Sequence, residues 1–186
     1  MKFTPGPLAG AYLIEPEYLE DDRGFFARTW CEREFTERGL ETRLVQCNIS
    51  YNRHAGTLRG IHYQIPPMAE VKLVRVTQGG IYDVLVDLRP GSDTFLGWFG
   101  IELTQQNRLA VYVPCGFGHG FQTLADHTEV YYQMSQFYSP EHARGFRWDD
   151  PLIAIPWPRP IACISERDRT YPDLKPEALA ENAGIG

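Results

Sequence analysis

The chain has 186 residues, 43% hydrophobic and 23% charged, the proportions of a globular protein that buries one sizeable core, expected as a single domain over 1–186. Eighteen basic against 24 acidic side chains leave a formal net charge of -6, which disfavours a nucleic-acid partner, although a few arginines in one pocket suffice for a single nucleotide. No apolar run approaches the roughly 18 residues of a membrane span, prolines break the N-terminus before a signal-like run develops, and Cys31, Cys47, Cys115 and Cys163 have neither CxxC nor metal spacing, so a soluble cytoplasmic chain with reduced thiols is expected.

In chain order, the one segment that reads as a helix is 31–39 (CEREFTERG), short and polar, with Gly39 as its stop. Beyond it the apolar pattern is that of strands. Runs rich in Val, Ile, Leu, Tyr and Phe at 58–64, 71–77, 81–88, 96–103, 109–113, 120–124 and 128–134 are separated by Gly, Pro, Asn and Asp. Gly79-Gly80 reads as a two-residue hairpin between the second and third of them. Short strands with turns about every 8 to 12 residues predict an all-β sandwich or barrel, capped by the short helix. The segment after about residue 171, with its Pro, Asp, Glu and Ala, is expected to be partly loose.

Pro114-Cys115-Gly116-Phe117-Gly118-His119 carries the turn of the second cupin motif, in which Pro and Gly set a tight bend and the His points into the barrel. Thr123 stands where that pattern places Asn. The first cupin motif needs His-x-His closely followed by Glu; this chain has His62-Tyr63-Gln64, and Glu70 lies too far along. A transition-metal site wants three or four convergent ligands, so a cupin barrel without a metal is expected. The plainer reading, that His62 and His119 are buried and hydrogen-bonded, stays open. Arg59 and His62 would face opposite ways on a regular strand, but Gly60 between them marks a bulge that could return both to one pocket. Lys72 alternates with Val74 and Val76, and an inward lysine costs desolvation unless it is paired or employed. Val71 and Leu73 are apolar too, so a solvent-facing Lys72 fits the same run. Tyr132 shares a face with Val130 and Met134, which suits core or site equally. Asp168 alone reads as a solvated loop acid.

Taken in order, Asp22-Arg23-Gly24-Phe25-Phe26, Gln46-x-Asn48-x-Ser50, Leu58-Arg59-Gly60-Ile61-His62-Tyr63-Gln64, Lys72-Leu73-Val74, Asp83-Val84-x-Val86-Asp87-Leu88-Arg89, Pro114-x-Gly116-Phe117-x-His119-Gly120-Phe121, Tyr132, Trp148-Asp149-Asp150-Pro151 and Ser165-Glu166-x-Asp168 resemble the dTDP-4-dehydrorhamnose 3,5-epimerase family. The resemblance runs from about residue 20 to 170. It implies a dimeric jelly roll of the cupin type, with short peripheral helices, no metal and no organic cofactor. It implies a nucleotide-diphosphate sugar as substrate, by default dTDP-4-dehydro-6-deoxy-D-glucose converted to dTDP-4-dehydro-L-rhamnose. Removing the C3 or C5 proton beside that ketone needs a base, and a cation near the enolate oxygen. By resemblance His62 is the base, oriented by Asp168, while Lys72 stabilises the enolate and Tyr132 returns a proton on the opposite face. Substrate binding falls, again by resemblance, to Arg23, Gln46, Asn48, Arg59, His119 and Arg167, the last in place of the family's Lys. Tyr138 is an aromatic that, by the same resemblance, is expected to stack on the nucleobase.

Two departures touch substrate identity rather than reaction type: Arg28 and Ala143 each stand where the family has Glu. Two competing readings remain. A metal-dependent cupin oxygenase or isomerase lacks its His-x-His here. A non-enzymatic sugar-binding jelly roll gives no reason for His62, Lys72, Tyr132 and Asp168 together. The motifs do not encode whether C3, C5 or both are inverted.

Overall fold

Side chains on a strand alternate between faces, and on β5 (Gln46–Asn52) that alternation separates half-buried Gln46, Asn48 and Ser50 from exposed Cys47, Ile49 and Tyr51. The structure, a computed structural model, describes residues 1–182. With β1 (Lys2–Pro5), β2 (Tyr12–Glu15), β7 (Lys72–Gln78), β10 (Ala110–Val113) and β12 (Thr128–Met134), β5 forms a first antiparallel sheet in the order β1-β2-β10-β7-β12-β5. The second sheet comprises β6 (Thr57–Gln64), β8 (Gly80–Asp87), β9 (Trp98–Thr104), β11 (Phe117–Thr123) and β13 (Ala143–Gly145) in the order β13-β6-β11-β8-β9, and β14 (Cys163–Ile164) pairs parallel with β6. A separate hairpin, β3 (Tyr18–Asp21) with β4 (Gly24–Ala27), belongs to neither. Helices α1 (Glu32–Thr36), α2 (Glu166–Thr170) and α3 (Pro176–Asn182) are short and peripheral. This is the all-β, cupin-type jelly roll that the sequence implied.

The inner faces meet in a core that includes Val74, Val76, Val111, Val113 and Val130 from the first sheet and Ile81, Leu85, Leu103, Phe117 and Phe121 from the second. Each such side chain contributes about 1.5–3 kcal/mol when fully buried. The outer face of the second sheet is covered by the C-terminal third, through Phe146, Ile153, Ile155, Leu174 and Leu179. The outer face of the first sheet is covered in part by α1, whose Phe35 is 1% exposed. Around β5 that face keeps Ile49 and Tyr51 in the open.

The seven predicted strands correspond to β6 through β12 within a residue or three at each end. Other expectations need correction. Gly79-Gly80 is not a hairpin, because β7 and β8 lie in different sheets and the chain crosses between them there. Gly79 has φ 75°, and a Cβ would stand 2.4 Å from Thr128 Oγ1, so the glycine serves a corner between sheets. The helix predicted over 31–39 spans only Glu32–Thr36, with Gly39 closing the turn beyond it, and it is not the one helix: α2 and α3 are two further short ones near the C-terminus. The segment after 171 carries buried Leu174 and Leu179, and α3 runs to Asn182. Residues 183–186, the end of that segment, lie outside the described residues.

Candidate active site

At one end of the core the two sheets part around a cleft of about 520 Å³, within the range of small-ligand pockets. Strand register builds its two walls. On the first sheet Tyr132 lies beside Asn48 and Val74, Met134 beside Gln46 and Lys72, and Val130 beside Ser50. Cross-strand partners share a face, so Gln46, Asn48, Ser50, Lys72 and Tyr132 all line one wall. On the second sheet His62 is paired with His119, and Arg59 with Phe121, with a register shift between. Two residues of β6, Gly60 and Ile61, thus stand against Gly120 alone. That bulge returns Arg59 and His62 to the cleft together. It needs glycine: Gly60 has φ 122°, and a Cβ there would meet Gly120 Cα at 2.5 Å.

The histidines of this wall each hold a carboxylate. His62 Nε2 is 2.6 Å from Asp168 Oδ1, and His119 Nε2 is 2.8 Å from Asp83 Oδ1. Asp168 comes from α2, where Ser165 caps the helix by accepting a hydrogen bond from the Asp168 N–H at 3.0 Å. The other Asp168 oxygen accepts from the Gly60 N–H at 3.2 Å, tying helix, bulge and imidazole into one unit. Burial pushes the Asp168 carboxyl up, but hydrogen bonding and charge from His62, with the Gly60 N–H and Ser165, outweigh it and hold the carboxyl below its ordinary value. Across the cleft, burial raises the Tyr132 phenol; the Arg59 charge opposes this and the Glu70 charge adds to it. The phenol is thereby held in its protonated form.

Cations gather here despite the acidic chain. Arg59, Lys72, Arg144 and Arg167 line the cleft. Arg59 Nε donates to Asn52 Oδ1 at 2.7 Å, and Arg167 donates to the Tyr171 and Tyr138 hydroxyls at 2.6 and 3.2 Å. Guanidinium groups suit phosphate because their forked N–H donors make paired, charge-assisted bonds. Among the described residues no three His, Cys, Asp or Glu side chains form a metal-binding group.

Of the sequence-proposed residues, His62, Lys72, Tyr132, Asp168, Gln46, Asn48, Arg59, His119, Arg167 and Tyr138 all line this one cleft. Lys72 is 9% exposed and ion-paired with Glu70 at 3.0 Å, so the solvent-facing reading is set aside. Asp168 is 3% exposed and is no solvated loop acid. Arg23 is not brought in: it lies on the exposed β3–β4 hairpin, paired with Asp21. Arg28 also lies outside, on Glu34 at 3.1 Å, whereas Ala143 lines the cleft. Sequence reasoning assigned no site role to Ser50, Arg144 or Ser165, and weighed Glu70 only as a distant metal ligand. For Ser50 the signal was its alternation with Gln46 and Asn48; for Ser165, the helix-start spacing Ser-x-x-Asp.

Similarity to known proteins agrees with this geometry. Residues 5–176 match the sequence model of the dTDP-4-dehydrorhamnose 3,5-epimerase family. The enzyme of that name from Methanothermobacter thermautotrophicus is 45% identical over 94% of this chain and 95% of its own. The Bacillus anthracis dTDP-4-dehydrorhamnose 3,5-epimerase, solved with TDP and PPi bound, superposes with a TM-score of 0.89 at 43% identity, covering 93% of this chain and 99% of that one. A Streptomyces niveus protein named dTDP-4-dehydrorhamnose 3-epimerase is 37% identical over the whole of this chain and 88% of its own. The chain belongs to the dTDP-4-dehydrorhamnose 3,5-epimerase family.

Proposed function

We propose that this chain is an isomerase that inverts carbons beside the ketone of a thymidine-diphosphate 4-keto-6-deoxyhexose. The observation that carries the reading is the opposition of His62–Asp168 on one wall to Lys72 and Tyr132 on the other. His62 removes the proton at C3 or C5, and Asp168 holds the imidazole in position and supports the cation it becomes. The electrons pass to the carbonyl oxygen, where the Lys72 ammonium stabilises the enolate. Tyr132 returns a proton from the opposite face, which inverts the centre; the raised phenol is consistent with this donor role. Arg59, Arg167, Gln46, Asn48 and His119 hold the diphosphate and sugar.

The active unit in this reading is a homodimer of one-domain chains, working in the cytoplasm. Leu19 and Phe26 on the β3–β4 hairpin are 70% and 67% exposed, and Ile49 on the outer face of β5 is 62% exposed. A second copy covers these apolar side chains, and the hairpin carries Arg23 to the partner's cleft. The molecular mass in solution tests this; a monomer at working concentration would remove Arg23 from the site.

The relative named as a 3-epimerase favours a second reading, inversion at C3 alone. One experiment addresses both. Purified protein is incubated in heavy water with the thymidine-linked 4-keto-6-deoxyglucose, and deuterium at C3 and C5 is followed by NMR. Wash-in at both centres supports double epimerisation and wash-in at C3 alone supports the second reading. No wash-in at either would overturn the proposal.

A further inference from the structure

Glu70 is a buried carboxylate with no part in the reaction described above. It stands two residues before Lys72, just ahead of β7, and both side chains line the cleft. Glu70 Oε1 lies 3.0 Å from Lys72 Nζ, and the side chains are 4% and 11% exposed. The other oxygen, Oε2, is buried and has no hydrogen-bond partner among the described residues.

Carboxylates buried for structure look different in this protein. Asp87 accepts from Arg89, Ser92 and Thr94. Asp150 accepts the backbone N–H groups of Leu152, Ile153 and Leu174. Both oxygens of each are occupied: Asp87 braces its own turn, and Asp150 ties its turn to Leu174. Among the described residues Glu70 pairs only with Lys72. Asp83 resembles it, with one oxygen on His119 and the other, Oδ2, buried and unpartnered. Both half-satisfied carboxylates therefore stand behind a cation or imidazole of the cleft. A buried ion pair of this kind is a poor source of stability, because desolvation offsets its attraction. Its effect is to fix where a charge sits.

We propose that Glu70 is a positioning residue whose charge holds the Lys72 ammonium on the carbonyl side of the cleft, where its Nζ donors meet the developing oxyanion. An ammonium on a flexible stem has three donors and no preferred direction. The ion pair with Glu70 fixes where that charge sits before substrate arrives, which is what oxyanion stabilisation requires. The other ionisable groups of the cleft are Arg59, His62 and Tyr63 from β6, His119 from β11, Tyr132 from β12, Arg144 from β13, Tyr138 from its rim, and Arg167 and Asp168 from α2. Among the described residues none of these forms an ion pair with Lys72. Glu70 also adds to the effect of burial in raising the Tyr132 phenol, so its charge is felt on the donor of the second proton transfer.

The inference rests on the epimerase reading, and the test has an arm that needs no substrate. Glu70→Gln keeps an oxygen for Lys72 but removes the charge. Its kcat should fall about 10- to 100-fold, the usual cost of losing an orienting partner, with KM within about threefold and solvent exchange slowed in parallel. In the second arm, thermal melting of Lys72→Met is compared with that of Lys72→Met combined with Glu70→Gln. The single variant strands a buried carboxylate and should melt lower; the double variant, relieved of it, should melt higher than the single one. A kcat for Glu70→Gln within twofold of an active wild type would overturn the proposal, as would melting losses that simply add.

Discussion

The cleft holds two histidine–aspartate pairs on neighbouring strands, alike in chemistry and unlike in access. His62 and His119 face each other across β6 and β11 at one register position. The His62 side chain is 39% exposed and that of His119 only 10%. Asp168 reaches His62 from a helix 106 residues further along the chain, and both of its oxygens are engaged. Asp83 lies on β8, the strand on the other side of β11, and one of its oxygens has no partner among the described residues. A base that removes a carbon-bound proton must approach that carbon and keep its geometry as its charge changes. Only the His62 pair offers both an open imidazole and a fully bonded carboxylate. The His119 pair is built into the sheet and suits fixed recognition of a ligand group.

The largest test of that difference is to remove each imidazole in turn. His62→Asn should lower kcat by about two to four orders of magnitude, the usual worth of a positioned general base. His119→Asn should act mainly through KM, by about 2- to 12-fold, corresponding to one hydrogen bond of about 0.5–1.5 kcal/mol. Single-turnover and steady-state rates for both variants check this. If His119→Asn loses as much kcat as His62→Asn, the two pairs are not distinct in role.

Tyr132→Phe extends the comparison to the opposite wall. It preserves ring packing but removes the donor. Deuterium wash-in should then outrun net epimer formation, because in the proposed mechanism His62 still removes protons while the opposite face lacks its acid. Equal loss of both rates, in a variant of unchanged melting temperature, would leave Tyr132 as a packing residue. Asp168→Asn is expected to cost less than His62→Asn, about 10- to 100-fold in kcat, since the base survives with poorer orientation. A loss as large as that of His62→Asn would mean that the carboxylate does more than orient.

Much of this contrast could be anticipated from sequence. The strands β6 to β12 were legible because their apolar runs are bounded by turn residues, and Gly60 disclosed the bulge because nothing else there explains a glycine. The first 30 residues were not legible. Their strands are four residues each, interrupted by prolines and only partly buried, so neither period nor hydrophobicity is strong. Asp168 was legible only through resemblance, since its burial depends on α2 docking against a strand more than 100 residues away. The Glu70–Lys72 pair escaped for a related reason: the spacing is visible in Glu70-Val71-Lys72, but the alternation alone cannot say which face is the inner one. Arg23 remains the residue on which a single chain and the resemblance part company, and the hairpin's exposed apolar side chains motivate the dimer reading.

The smallest expected effect concerns acid. The Asp168 carboxyl lies below its ordinary value in the folded protein because its bonds to His62, the Gly60 N–H and Ser165 outweigh the cost of burial. For a group shifted in that direction, the stabilising contribution is fully present above the unfolded aspartate value, about pH 4, and is lost as pH falls through the lower, folded value. Between about pH 5.5 and pH 3 the wild type should therefore lose more melting temperature than Asp168→Asn, which has no such proton to take up. The gap scales at about 2–4 °C for each kcal/mol of pairing in a chain of this length. Other carboxylates titrate in the same window and lower both curves, so the comparison between the two proteins matters more than either curve. Parallel curves would mean that the His62–Asp168 pair orients the base without stabilising the fold. In that case its carboxylate would be retained for catalysis alone, as proposed for Glu70 on the facing wall.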